Sequence, residues 1–114
     1  MKFKVERSAG VPIGSYAAKF IEAEQATNDF GEAVVLKFEI TGGEHTGSIA
    51  TRWCSPNLTQ KSTLFAFVAA MAGRKPEAGE EIDVASFYGT PGMVVVGEAK
   101  SGNGTRVETF IRTG

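Results

Sequence analysis

Six cations and three rings are spaced so that a strand-rich chain can present them together. They are Lys19, Lys37, Arg52, Lys100, Arg106 and Arg112, with Phe30, Trp53 and Phe110. Lysine and arginine pair with phosphate, and an aromatic face stacks under a base, each stack contributing about 1–3 kcal/mol. Residue parity distributes these groups. Lys37 and Arg52 take the outward parity of adjacent strands, Lys19 is outward on the first strand, and Lys100 and Arg106 flank the last hairpin turn. Phe110 aligns with Arg106, Glu108 and Arg112, while Val107 and Ile111 take the other face. An outward Phe between arginines can be a base platform, or it can pack beneath an N-terminal arm or in a dimer seam. Trp53 shares parity with Ile49 and so fills the core, with stacking as its alternative. Phe30 lies exposed in the first loop, Tyr16 can face either way, and Phe20 and Phe38 are core residues. For the cations, the plain alternative is a solvated strand face whose charges serve solubility.

Catalytic chemistry is not expected. His45 is the sole histidine and has no metal-ligand companion at a useful spacing. Cys54 is the only cysteine, so no intramolecular disulfide can form, and a lone strand cysteine is ordinarily inert packing. GGEHTG and KSGNGT fit neither the P-loop nor the dinucleotide fingerprint. Glu80 and Glu81 are adjacent and exposed, which is poor geometry for acid–base work. The reading is of a protein that is not an enzyme, with no metal and no small-molecule cofactor.

Twelve Lys and Arg against thirteen Asp and Glu leave a formal net charge of −1, so no global field recruits a polyanion and any nucleic-acid site is a local patch. The acidic group Glu77, Glu80, Glu81 and Asp83 reads as a solvated loop. The longest apolar run, LFAFVAAMA, falls far short of the ~20 residues a bilayer span needs. The start, MKFKVERSAGVPIG, has no apolar secretory core. A cytoplasmic protein with no membrane partner is expected.

The elements that must carry these groups follow from period and punctuation. Residues 1–13 read as an arm with a short strand in FKV. SYAAKFIEAEQ alternates as a strand, with Phe20 and Ile21 marking a bulge, and ATNDFG is turn chemistry. EAVVLKFEIT is the clearest strand, placing Val34, Leu36, Phe38 and Ile40 on one face. HTGSIATRWC follows the Gly42-Gly43 turn as the next. In SPNLTQKSTLFAFVAAMAG, Ser55 or Thr59 can cap a helix over about 60–72 whose stripe is Leu64, Phe65, Val68, Met71 and Ala72. Gly73 ends it, Arg74 and Lys75 complement its carbonyl end, and Pro76 prevents continuation. Asp83 can cap a single turn carrying Val84 and Phe87, and MVVVGEA and RVETFIR are the last two strands, joined at an Asn-Gly turn.

The order is β-β-β-α-β-β over one domain, residues 1–114. Five antiparallel strands bury a core best by curling, and a short apolar helix then covers the open end of the barrel. This predicts an all-β, OB-fold-like five-stranded barrel with one helix. A five-stranded sheet with the helix across one face is the alternative. In an OB-fold the ligand face would be strands 32–41 and 45–54, bounded by loops 25–31 and 100–105.

GSYAAKFIEAE, VVLKFEITGG, KSTLFAFVAAMAG and FYGTPGMVVV resemble the corresponding segments of small phage and prophage proteins with an OB-like domain similar to single-stranded-DNA-binding proteins. The resemblance spans roughly residues 14–112. It implies a protein of phage replication or recombination that holds single-stranded DNA in a bacterial or phage-infected cell. The rival reading is a protein–protein or assembly module with no nucleic-acid ligand, since one barrel carries unrelated functions. Oligosaccharide binding is a third. A homo-oligomer would suit the first two.

Overall fold

The computed structural model describes residues 11–28, 31–56, 62–98 and 105–113. Five strands, β1 (Gly14–Asn28), β2 (Gly31–Ile40), β3 (Ile49–Cys54), β4 (Pro91–Glu98) and β5 (Thr105–Arg112), form one antiparallel sheet in the order β3-β2-β1-β4-β5. One helix, α1 (Thr63–Ala72), and a single 3₁₀ turn (Val84–Phe87) lie between β3 and β4. The expected element order is therefore present.

β1 is long enough to serve two partners. Its first half pairs with β4, Gly14 opposite Val96 through Lys19 opposite Pro91, and its second half pairs with β2 out to Asn28 opposite Gly31. The pairing slips between Phe20 and Glu22, so the bulge expected near Phe20 and Ile21 is real. Bulges bend and twist the strand that carries them, and here the bend lets the sheet curl around its core. Tyr88 fills the irregular spot beyond the bulge. Its hydroxyl accepts from the Ala23 N–H at 3.1 Å and donates to the Ala23 carbonyl at 3.3 Å, and its ring lies 5.5 Å from that of Phe20.

Curling does not close the sheet. β3 and β5 are its two edges, and no strand pairing joins them among the described residues. Their approach is spanned by a side chain instead: Arg52 Nη1 on β3 donates to the Val107 carbonyl of β5 at 3.3 Å.

The inner face carries Phe20, Leu36, Phe38, Ile40, Val94 and Val107, all fully buried. Phe38 sits at the centre, with ring centroids 5.4 Å from Phe20, 5.9 Å from Phe67 and 5.3 Å from Phe110. α1 adds Leu64, Phe67, Val68 and Met71. Phe67 takes the place that spacing gave to Phe65, which is only half-buried. The helix starts three residues later than expected, at the cap Ser62, whose hydroxyl accepts from the Phe65 N–H at 3.1 Å. Ser55 lies well before it and Thr59 lies outside the described residues. Gly73 stops the helix as expected, in the left-handed region at φ 74°, where a side chain would be strained. Asp83 caps its turn through the Ala85 N–H at 3.1 Å.

Three expectations about side-chain direction are overturned, those for Trp53, Arg52 and Phe110. Trp53 does not fill the core: it is half exposed, as is Ile49, while Ala50 and Cys54 point inward. The register explains this. Phe38, Leu36 and Val34 of β2 lie opposite Ala50, Arg52 and Cys54, and close packing suits the small Ala50 and Cys54 against Phe38 and Val34. Arg52 is accordingly on the inward parity, its side chain only 11% exposed. Phe110 is not outward either. β5 carries an extra residue at Glu108, because Val95 pairs with Thr109 and Val96 with Val107, so Val107 and Phe110 both turn inward. A bulge exchanges the two faces of a strand, and parity counted from Arg106 fails beyond it. The strand expected over residues 45–54 is shorter, with His45 and Gly47 in the preceding turn.

Candidate nucleic-acid interface

The outer face of β1, β2 and β3 consists of three cross-strand rows. They are Lys19–Glu39–Ile49, Glu22–Lys37–Thr51 and Glu24–Val35–Trp53. Trp53, on the short edge strand, is the exposed ring of this face, and its partner Val35 is buried despite pointing outward. A tryptophan with half its surface in solvent, beside an apolar floor, presents a flat face that can stack on another planar group.

The lysines of the face are present but engaged. Lys37 Nζ donates to Glu24 Oε2 at 2.6 Å and lies 3.5 Å from Glu22 Oε2. The hydrogen bond to Glu24 holds the Lys37 ammonium above its ordinary range. Lys19 Nζ lies 3.4 Å from Glu39 Oε1. The two glutamates around Lys37 are what strand-by-strand reading leaves out. The slip at Ile21 sets Glu22 directly opposite Lys37, and only a bulge-corrected register reveals that pairing.

Three arginines offered as phosphate contacts have other neighbours. Arg52 spans the β3–β5 opening, and burial, followed by repulsion from Arg106, lowers its pKa. Arg106 Nε donates to Glu108 Oε1 at 3.0 Å. Arg112 Nη1 donates to the carbonyls of Met71 and Ala72, both at 3.2 Å, and so satisfies the C-terminal end of α1. That is the part Arg74 and Lys75 were expected to play. Arg74 instead forms a fork with Glu80, which pulls the Glu80 carboxyl down to about 2, chiefly through that hydrogen bond. Phe30 and Lys100 lie outside the described residues. The structure thus brings Lys19, Lys37 and Trp53 onto one face, puts Arg52, Arg106 and Phe110 at the β3–β5 opening or in the core, and ties Arg112 to the helix.

Tyr16 is half-buried, donating to the Pro12 carbonyl at 2.8 Å with its ring edge-on to His45 at 5.7 Å. Cys54 is buried, and loss of solvation pushes its thiol up to about 11. A thiolate is the reactive form, so native Cys54 should stay unmodified by iodoacetamide at neutral pH and react only on denaturation. Mass spectrometry of the two samples checks this, and rapid native alkylation would contradict the inward placement of Cys54. Among the described residues no group of three His, Cys, Asp or Glu is placed to hold a metal ion, and no helix is long and apolar enough to cross a membrane. No protein-family model matches the sequence, and a search of curated proteins finds no match.

Proposed function

We propose that the protein holds single-stranded nucleic acid on the outer face of β1, β2 and β3, by stacking led by Trp53 with a minor phosphate contribution from Lys19 and Lys37. The strand order supports an OB-like reading of the fold: β1 lies between β2 and β4, β3 and β5 are the edges that approach each other, and the helix falls between β3 and β4. An OB-fold is a five-stranded barrel left partly open, and its usual ligand face is strands two and three, which would be β2 and β3 here. The observation that carries the proposal is the half-exposed Trp53 on that face.

Magnitudes favour a stack-led grip. An exposed ion pair is worth about 0–1 kcal/mol, so Lys19 and Lys37 can exchange a glutamate for a phosphate with little net gain. One stacked base is worth about 1–3 kcal/mol. Six phosphate contacts would give log affinity a slope of about −4 against log salt for a single strand, whereas two give about −1.4. Fluorescence anisotropy of labelled oligo-dT, measured at several salt concentrations with a duplex of equal length as control, should give single-strand preference with the shallower slope. Equal affinity for duplex, or no binding at low salt, would contradict the proposal.

A second reading has its own support. Glu22, Glu24 and Glu39 outnumber Lys19 and Lys37 on the same face, which disfavours a polyanion. Trp53 and Ile49 would then anchor a protein partner. Such an interface would ignore oligo-dT and persist at high salt.

A further inference from the structure

The β3–β5 opening holds a cavity of about 290 Å³, lined by Arg52, Ser62, Thr63, Ala66, Phe67, Glu108, Thr109 and Phe110. It lies on the inward side of the sheet, away from Trp53, and is independent of the outer face. Its floor is apolar, since Phe67 and Phe110 are buried. Its wall carries Arg52 and Glu108, and Glu108 is engaged from outside the lining by Arg106. Two guanidinium groups share one carboxylate: Arg106 Nε is 3.0 Å from Glu108 Oε1, and Arg52 Nη1 is 4.0 Å from Glu108 Oε2. The closer contact belongs to Arg106, so Arg52 receives only a loose counter-charge.

Arg52 is also incompletely satisfied. Its Nη1 reaches the Val107 carbonyl, but its Nε is buried without a hydrogen-bond partner. A buried donor of a charged group left unpaired is costly, and an added acceptor that draws the guanidinium toward itself relieves the cost. Arginine's planar fork suits a carboxylate, which can accept two parallel N–H bonds.

We propose that this cavity binds a small monocarboxylate with an apolar body, the carboxylate on Arg52 and the body over Phe67 and Phe110. The volume sits just below the range of pockets for drug-sized ligands, so the body is about one ring or a short branched chain. A dianion fits less well, because Glu108 stays in the wall. A neutral isostere of the same shape would leave Arg52 as it is.

Benzoate and benzamide are the probes. Titrating the full chain with each at constant pH and ionic strength, followed by amide and arginine Nε–Hε NMR shifts and by thermal melting, separates charge from shape. Millimolar benzoate should raise the melting temperature and shift the Arg52 Nε–Hε signal together with the Thr63, Ala66 and Thr109 amides. Benzamide should do neither. Ala66→Leu, at an exposed helix position whose longer side chain fills the cavity, should weaken benzoate binding about tenfold or more. Equal responses to the two probes, shifts scattered away from these residues, or an undiminished effect in Ala66→Leu would overturn the proposal. The shift map of the unaltered protein decides the matter even if the variant folds poorly.

Discussion

Phe110→Ala is expected to destabilise the fold by about 3–5 kcal/mol, the cost of emptying a packed aromatic site in a core. Phe110 is 2% exposed and stacks on Phe38, itself fully buried, at an interplanar angle of 27°. The opposite strand leaves room for it: a Cβ built on Gly92 would come within 2.5 Å of Phe110 Cζ, so the ring occupies the space a side chain there would need. Against a total stability of about 5–15 kcal/mol for a domain of this kind, the loss is a large fraction of the whole. Ile111, its neighbour, is 55% exposed. Ile111→Ala should cost no more than about 1 kcal/mol, the span of strand preferences at a solvent-facing position. Urea unfolding of both variants checks the pair. A severe Ile111→Ala with a mild Phe110→Ala would mean that β5 has no bulge at Glu108 and that its faces are exchanged.

Trp53→Ala is expected to act in the opposite sense, sparing the fold and removing the ligand. Half the Trp53 side chain is already in water and β3 is an edge strand, so its truncation should change stability by about 1 kcal/mol or less. Loss of one base stack, about 1–3 kcal/mol, corresponds to a fall in single-strand affinity of about 5- to 150-fold. Trp53→Phe should recover much of it, because a ring remains. Lys37→Ala is the informative companion. Lys37 is shared between Glu22 and Glu24, so its removal takes away one phosphate contact and also exposes two carboxylates to the strand. A shallower salt slope together with weaker binding is the expected pattern. Anisotropy with oligo-dT reads both variants. An unchanged affinity in Trp53→Ala would move the ligand off this face.

What could be read from the sequence was set by local rules. The alternation of Val34, Leu36, Phe38 and Ile40 gives β2 its inner face, though Val34 is only partly buried. The Gly73 stop and the Asp83 cap are each decided within a few residues of chain, and both occur where the sequence places them. The bulge near Phe20 and Ile21 was visible in the doubled apolar pair. The consequence for Lys37 was not, because it depends on which residue of β2 lies opposite Glu22.

The reversals have one physical source. Along β3 both parities carry a mixture, Ile49, Thr51 and Trp53 against Ala50, Arg52 and Cys54, so hydrophobicity alone does not choose between them. Volume enters the choice, since the observed register sets small Ala50 opposite Phe38 and Cys54 opposite Val34, and leaves Trp53 on the outer face opposite Val35. Arg52 can then lie inward because the sheet stays open and β5 offers the Val107 carbonyl to its guanidinium. On β5 the extra residue at Glu108 has no composition signal, and it turns Phe110 from a supposed outward platform into core. Arg112 likewise depends on tertiary placement: it serves the end of a helix some forty residues earlier in the chain.

The central claim concerns one side chain, and the protein supplies its own probe, since Trp53 is the only tryptophan. Titrating the protein with unlabelled oligo-dT while following its intrinsic fluorescence tests the stack directly. Saturable quenching by the single strand, absent with a duplex of equal length, is the expected result. Binding seen by anisotropy with no change in Trp53 emission would contradict the account, as would emission that does not respond to any oligonucleotide at low salt.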